Sequence, residues 1–266
     1  MSKSNVKYFS RMKTQIVILL FISITAGSFA QSSDAPLLVK QGESLVTQMK
    51  EEEALEKFKG ALKSESNNYE AAWQASLMCS RIGNRQSDEQ KKKEFFVTAK
   101  QYAVKALKIN STDAESNFVM AVAMGRMALI SGARDKVAAS RDIKNYVELA
   151  IKYNPNHAGA YHVLGKWNYE VANLNWMEKA AANSLFGGIP DGSLNAAIDN
   201  YNKAISLDGN DILFYLDLAK AYKDNEQPDK AKEALKKALA LKPRFEDDAS
   251  YLKECQSLLN ELNAPQ

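Results

Sequence analysis

The chain has 266 residues, of which 45% are apolar, 25% charged and 9% aromatic, and its formal net charge is +3. This balance excludes a disordered chain, a collagen-like chain and a multi-pass membrane protein. Only 12 glycines and 6 prolines are present, which favours long helices over strand-rich folds that need many turn residues. The two cysteines, Cys79 and Cys255, exclude a disulfide scaffold and a cysteine-rich zinc site.

Residues 1–30 have the pattern of an export signal. A basic start without acidic residues is followed by an apolar run over 16–26 and by small residues up to Ala30. This pattern predicts cleavage after Ala30 and a periplasmic or secreted protein, with a bacterial envelope favoured. The alternative is an uncleaved membrane anchor formed by residues 15–30, although the run is short for a span of about 20 apolar residues.

Removal of the predicted signal also changes the formal net charge of the chain. The segment contains four basic and no acidic residues, so its loss takes the formal charge from +3 to −1. A near-neutral chain lacks the positive field that collects a phosphate backbone. We therefore expect no nucleic-acid partner, and contact with a membrane only if the N-terminal segment is retained.

The mature chain repeats one short motif, in which an alanine precedes an aliphatic residue. A turn-forming residue closes the motif five positions after the alanine. The five closing alanines are Ala61, Ala106, Ala150, Ala204 and Ala238. A small residue also recurs at the eighth position of each unit. These residues are Gly42, Ser76, Ala121, Gly165 and Ala219. The last spacing between closing alanines, 34 residues, resembles the tetratricopeptide repeat, whose two helices approach closely at small side chains.

This pattern predicts an all-α, tetratricopeptide-like solenoid of five helix–turn–helix units and a C-terminal capping helix, in a single domain over 31–266. The units are expected at about 35–68, 69–113, 114–157, 158–211 and 212–245, with the cap at 246–262.

Three units are longer than 34 residues, and each surplus is expected between the two helices, on one edge of the solenoid. The run 87–94 is predicted to be a solvated helix extension. The insertion at 173–192 is predicted to contain a third, half-buried helix, followed by a tight loop and by Ser193 as the next N-cap. The apolar residues of this helix would be Leu174, Trp176, Met177, Leu185 and Phe186.

The fourth unit carries a longer phrase, which runs Leu164-Gly-Lys-Trp-Asn-Tyr-Glu-Val-Ala-Asn-Leu-Asn-Trp176 and continues with Leu185-Phe-Gly-Gly-Ile-Pro190. This block resembles the regulator of microtubule dynamics family, over about residues 35–245. The resemblance implies an all-helical solenoid with this insertion, and in animals an association with microtubules or with contacts between organelle membranes. The export signal departs from that setting, and no functional residue is carried over.

The sequence offers little material for catalysis. His157 and His162 are five residues apart, so a helix would point them to different faces, and no phosphate-binding loop or nucleophile motif is present. We therefore expect no enzyme, no cofactor and no metal. Cys79 and Cys255 are expected to be unpaired, mostly buried thiols, because they fall in distant units.

The first helices of the units are expected to line a concave groove, apolar and aromatic early and basic late. The predicted groove residues are Glu70, Trp73, Leu77, Glu115, Phe118, Val122, His162, Lys166, Tyr169, Leu216, Lys220 and Lys223. Such a groove suits a peptide or protein partner with a hydrophobic stretch and an acidic or carboxylate end. Alternatively, Trp73 and Phe118 belong to the inter-helix core and the lysines are only solvated.

Two functions follow from these features. The leading hypothesis is an exported, non-catalytic adaptor that binds a protein partner in the groove. The alternative is a membrane-anchored, intracellular regulator of the cytoskeleton, which requires that the N-terminal segment be retained.

Overall fold

The computed structural model describes residues 34–188 and 190–264, and the predicted signal at 1–30 lies outside them. The described residues form twelve α-helices and no strand, which confirms the all-α prediction. The helices are α1 (Ala35–Thr47), α2 (Glu51–Ser64), α3 (Tyr69–Arg85), α4 (Glu89–Ile109), α5 (Ala114–Leu129), α6 (Ala133–Tyr153), α7 (Ala158–Ala172), α8 (Trp176–Phe186), α9 (Leu194–Leu207), α10 (Ile212–Asp224), α11 (Pro228–Leu239) and α12 (Asp248–Asn263).

The helices pack in five pairs along the chain. The pairs are α1 with α2, α3 with α4, α5 with α6, α7 with α9, and α10 with α11. Each pair also packs against the next one, and α12 covers the end of the last pair. This nearest-neighbour stacking is the architecture of a helical solenoid, in which no pair could bury its apolar face alone.

Side-chain caps set the start of the first helix in units two to five. Asn68, Asp113, His157 and Asp211 precede α3, α5, α7 and α10, and each side chain accepts a hydrogen bond from a first-turn N–H at 2.9 to 3.0 Å. These N–H groups have no partner inside the helix, so the caps fix where each unit begins.

Small residues lie where the paired helices cross. All five closing alanines are fully buried. A Cβ added to Gly42 would lie 2.5 Å from the ring of Phe58, and one added to Gly165 would lie 2.6 Å from the ring of Tyr201. Each glycine therefore makes room for a large aromatic residue on the partner helix, which is the close packing that the repeat pattern predicts.

The surplus residues of units two and three lengthen their helices. Helices α4 and α6 have 21 residues each, against 14 in α2 and 12 in α11. The run 87–94 is almost entirely exposed and contains the start of α4 at Glu89, as expected of a solvated extension.

The insertion of the fourth unit forms helix α8, but two of its predicted contacts are wrong. Asn175 and Glu178 cap the helix reciprocally, and Ser193 caps α9. Leu174 is buried, and Leu185 and Phe186 are partly buried against Val137 of α6. Trp176 is 77% exposed and Met177 is 50% exposed, because the capped first turn of α8 points them away from α6.

The capping helix and the cysteines follow the prediction. Cys255, Leu258 and Leu259 of α12 are buried in a cluster with side chains of α10 and α11. Cys79 lies in the separate cluster of the first units, and both thiols are free. Burial raises the pKa of Cys79 to about 12 and that of Cys255 to about 11, so neither thiol ionises near neutral pH.

Candidate functional site: the concave cavity

The first helices of units two to five surround a cavity of about 510 Å³. Helices α3, α5, α7 and α10 each contribute side chains, and Tyr251 of α12 joins them. The stacking of units places one face of every first helix on the same side, which makes this surface continuous. The cavity is therefore a product of the whole repeat and not of a single unit.

Most of the cavity wall is apolar. The main apolar lining residues are Leu77, Phe118, Val122, Val163, Trp167, Val171, Leu213 and Phe214. Trp167 is held by the hydrogen bond from its indole Nε1 to the carbonyl oxygen of Ser140, at 2.8 Å. Such a wall favours aliphatic or aromatic side chains of a ligand.

A buried carboxylate organises the polar part of the wall. Asp217 is 5% exposed, and its Oδ2 lies 3.0 Å from Nε2 of His162. Burial by itself would raise the pKa of Asp217, but the charge of Lys166 and the bond to His162 outweigh it and hold the pKa well below its usual range. The ring of His162 also stacks on Phe214 at 4.7 Å. Asp217 therefore fixes His162 in the cavity wall.

The predicted lysines are already neutralised by carboxylates. Lys166 lies 3.4 Å from Glu170, and Lys220 lies 2.8 Å from Glu254. Arg126 differs, because its hydrogen-bond partners are neutral: its Nη1 donates to Oδ1 of Asn84 at 2.9 Å, and its guanidinium also bonds to the hydroxyl of Tyr251. Among the described lining residues, Arg126 is therefore a cation that an anionic ligand could use, and repeat spacing gave no signal for it.

Six predicted groove residues line the cavity, and six do not. Those that line it are Leu77, Phe118, Val122, His162, Lys166 and Lys220. Of the two aromatic residues whose placement was open, Phe118 faces the cavity, whereas Trp73 packs in an inter-helix cluster with Val119.

The remaining residues are held elsewhere. Glu70 accepts from Nε1 of Trp73 at 3.1 Å, and Tyr169 donates to Oδ2 of Asp224 at 2.6 Å. Leu216 is fully buried, so its assignment to the groove is wrong: α10 turns Leu213, Phe214, Asp217 and Lys220 to the cavity instead.

Glu115 and Lys223 are also engaged outside the cavity lining. Glu115 lies 3.3 Å from Nε2 of His157, whose ring packs on Phe118 at 4.5 Å. Lys223 donates to Oε1 of Glu261 at 2.6 Å, a contact that joins α10 to α12. Glu115 therefore stabilises the cavity wall from behind, and Lys223 stabilises it at its edge.

Residues near the C-terminus reach across to the first units. Arg85 of α3 pairs with Glu51, with Glu246 at 3.1 Å and with Asp247 at 3.6 Å. The backbone N–H of Glu51 donates to Oε1 of Glu246 at 2.6 Å. These contacts join α2 and α3 to the segment that precedes α12. The sequence pattern did not indicate them.

The contact between the C-terminal segment and α3 also includes aromatic side chains. The guanidinium of Arg81 lies 3.8 Å from the ring centre of Phe245, and Nδ2 of Asn84 lies 3.5 Å from the hydroxyl of Tyr251. Arg81, Asn84 and Tyr251 all line the cavity. The C-terminal segment therefore forms one part of the cavity wall.

The described part of the chain has neither a metal-binding cluster nor a helix that could cross a membrane. No cluster of three or more histidine, cysteine or acidic side chains there could hold a metal ion. None of its helices combines the length and the apolar character needed to cross a membrane.

Stacked helix pairs around a concave cavity define a tetratricopeptide-like solenoid. A solved structure with this fold is that of a thermophilic TPR protein of Thermus thermophilus, with a TM-score of 0.61 and 16% identity, which covers 85% of this chain and 99% of that one. The family model described as regulator of microtubule dynamics protein 1-3 matches residues 38–263, and the chain belongs to this family.

Curated relatives carry the same family name. Regulator of microtubule dynamics protein 1 of Caenorhabditis elegans is 24% identical over 187 residues, which cover 70% of this chain and 82% of that protein. Regulator of microtubule dynamics protein 3 of Xenopus laevis is 30% identical over 159 residues, which cover 59% of this chain and 34% of that protein. The chain thus spans most of the nematode relative and about a third of the frog relative.

Proposed function

We propose that this protein is a non-catalytic scaffold that binds a short segment of a partner protein in the concave cavity. The observation that carries the proposal is the cavity itself, to which four of the five units contribute mainly apolar side chains. Helical solenoids offer such concave surfaces for recognition, and binding alone requires none of the acid, base or nucleophile groups of an enzyme.

The dimensions of the cavity restrict the partner segment. One turn of an α-helix, with a diameter of about 10–12 Å and a pitch of about 5.4 Å, fills about 400–600 Å³. A cavity of about 510 Å³ therefore accepts one such turn, or an extended stretch of similar volume. We expect apolar side chains of the partner against Phe118 and Val122. We expect an acidic side chain or a C-terminal carboxylate at Arg126, because a guanidinium can bind a carboxylate in a bidentate manner.

A charge placed in the cavity tests this proposal. The mature chain from residue 31 onward would serve as bait in an envelope extract, and Val122→Glu should abolish capture of the partner, because the new carboxylate would be desolvated against an apolar segment. The matched control is Val97→Glu on α4, where the valine is 40% exposed and outside the cavity lining. Equal capture by both variants would contradict binding in the cavity.

We further propose that the protein is exported and works outside the cytoplasm. The basic start, apolar run and small residues of 1–30 support this location. N-terminal sequencing of the protein from its native cells should begin at Gln31. A sequence that begins at Met1 would instead support a retained membrane anchor and an intracellular protein.

Family membership favours microtubule regulation as the second candidate function, since the relatives are named for it. Co-sedimentation with polymerised tubulin distinguishes the two candidates. The scaffold proposal predicts that the mature chain stays in the supernatant. Sedimentation with microtubules that is lost in the Val122→Glu variant would show that this cavity serves the family activity instead.

A further inference from the structure

The segment before α12 and the start of that helix touch α2 and α3, and the contact bounds the cavity on one side. Glu51 and Glu246, which share a hydrogen bond, are 195 residues apart in the chain. We name residues 245–251 the closing segment. Because Tyr251 of this segment and Arg81 of α3 both line the cavity, separation of the two would remove part of its wall.

The contact is polar and therefore separable. No apolar cluster among the described residues contains buried side chains from both the first units and α12. The links are instead polar: the hydrogen bond from Glu51 to Glu246, the ion pairs of Arg85, the contact of Arg81 with the ring of Phe245, and the contacts of Asn84 and Arg126 with the hydroxyl of Tyr251. Water and salt compete with such interactions far more effectively than with a packed apolar core.

The closed arrangement also buries charge of both signs, because Arg81 pairs with Glu51 at 3.0 Å beside the ion pairs of Arg85. Glu51, Glu246 and Asp247 meet around Arg85, and Glu51 is fully buried. Burial raises the pKa of Asp247 and the nearby charge of Glu51 raises it further, whereas Arg85, Arg126 and Arg81 lower it. Opening would return Asp247 to water, which offsets part of the ion pairs that Arg85 makes with the closing segment, whereas the pairs of Glu51 with Arg81 and Arg85 join α2 to α3 and would remain.

We propose that the closing segment is a gate, whose separation from α2 and α3 opens the cavity to a partner. This inference rests on the proposed function, because it concerns the regulation of the same site. The gate explains how a cavity closed along this side could admit a segment of a larger protein.

Distance measurements between spin labels test whether the gate opens. The labels would be attached at Glu53→Cys in α2 and Ser257→Cys in α12, both exposed positions. The native thiols are buried and do not compete for the label. We expect one narrow distance distribution in low salt. We expect a broader, longer one in about 1 M NaCl, where charges are screened within about 3 Å.

A variant that removes the closing contacts should give the same change. Phe245→Ala with Glu246→Gln and Tyr251→Phe removes the ring under Arg81, one carboxylate on Arg85 and the hydroxyl near Asn84. Tyr251→Phe alone keeps the ring packed in α12 and should shift the distribution less but in the same direction. It serves as the test if the triple variant does not fold.

Access to the cavity is measured with a second cysteine. Val122→Cys places a thiol in the cavity lining, and we expect a disulfide reagent such as dithiobis(nitrobenzoate) to modify it about tenfold faster in the triple variant, a change of about 1.4 kcal/mol in opening. Lys223→Gln is the matched control, because it removes a contact of α12 with α10 and none with the first units.

Two results would overturn the gate. One is a distance distribution that stays narrow in both high salt and the closing-contact variants. The other is a modification rate of Val122→Cys that is unchanged when the distances lengthen, since the segment would then move without controlling access. Neither measurement uses a partner protein, so either failure leaves the scaffold proposal to its own test.

Discussion

At the scale of single residues, the fold depends on size matching where two helices cross. Gly42 lies against Phe58 and Gly165 against Tyr201, whereas Ala121 packs near Val147. The sequence identified these positions because the partners lie at fixed spacings within one unit. The two side chains of each pair differ in size from unit to unit, but together they fill the space between the helices at the density of a protein interior.

This matching predicts opposite effects for two helical glycines. Gly165→Ala should destabilise the protein by about 1–3 kcal/mol, because the new methyl group meets the ring of Tyr201 and the backbone of α9. Gly125→Ala in α5 should stabilise it by about 0.5–1 kcal/mol, since no atom beyond the local backbone of α5 lies within 4 Å of the added methyl. Urea unfolding measures both, and equal effects would contradict the crossing argument.

The buried carboxylate in the cavity makes stability depend on pH. Asp217 has a pKa below that of an unfolded aspartate, so its contribution is present at neutral pH and is lost as the pH falls below about 3.9. Lys166 and Lys220 supply positive charge near this carboxylate, and His162 shares a hydrogen bond with it. Acid should therefore weaken the wall between α7 and α10.

Asp217→Asn tests this contribution. The variant should lose about 1–3 kcal/mol of unfolding free energy at pH 7, because the hydrogen bond that the carboxylate makes to His162 is replaced by one to a neutral amide. The difference from the parent protein should narrow by pH 3. Asp142→Asn, at an exposed position of α6, should change little at either pH. A constant difference across this range would show that Asp217 acts by shape alone.

At the scale of elements, the helices were predictable and some of their faces were not. The five helix pairs follow from local spacing and from caps such as Asn68 and Asp113. The face of α10 was misjudged at Leu216, because α10 packs on both α11 and α12 and buries that residue between them. Which side of a helix stays free depends on all of its neighbours, and repeat spacing describes only one.

Helix α8 also has faces that the sequence did not predict, and its packing can be tested. Leu174→Ala should remove about 2–5 kcal/mol from the packing of α8, because Leu174 is buried with Val137 and Ala182. Amide hydrogen exchange should then speed up in α8 while α7 and α9 stay protected. Met177→Ala, at a half-exposed position, should leave the exchange of α8 unchanged. Faster exchange throughout the fourth unit would contradict independent anchoring of α8.

At the scale of the whole molecule, the closure of the cavity could not be predicted from sequence. It depends on the small rotation from each unit to the next, summed over five units and altered by the insertions. Arg85 and Glu246 carry no motif, and nothing in their spacing indicates that they meet.

The most direct test of the scaffold account is photo-crosslinking from inside the cavity. A photoreactive phenylalanine analogue would replace Val163, which lines the cavity, or Val97 on the convex helix α4, and living cells would be irradiated. The account predicts a discrete crosslinked protein from position 163 and none of that size from position 97. The same product from both positions, or from position 97 alone, would contradict it.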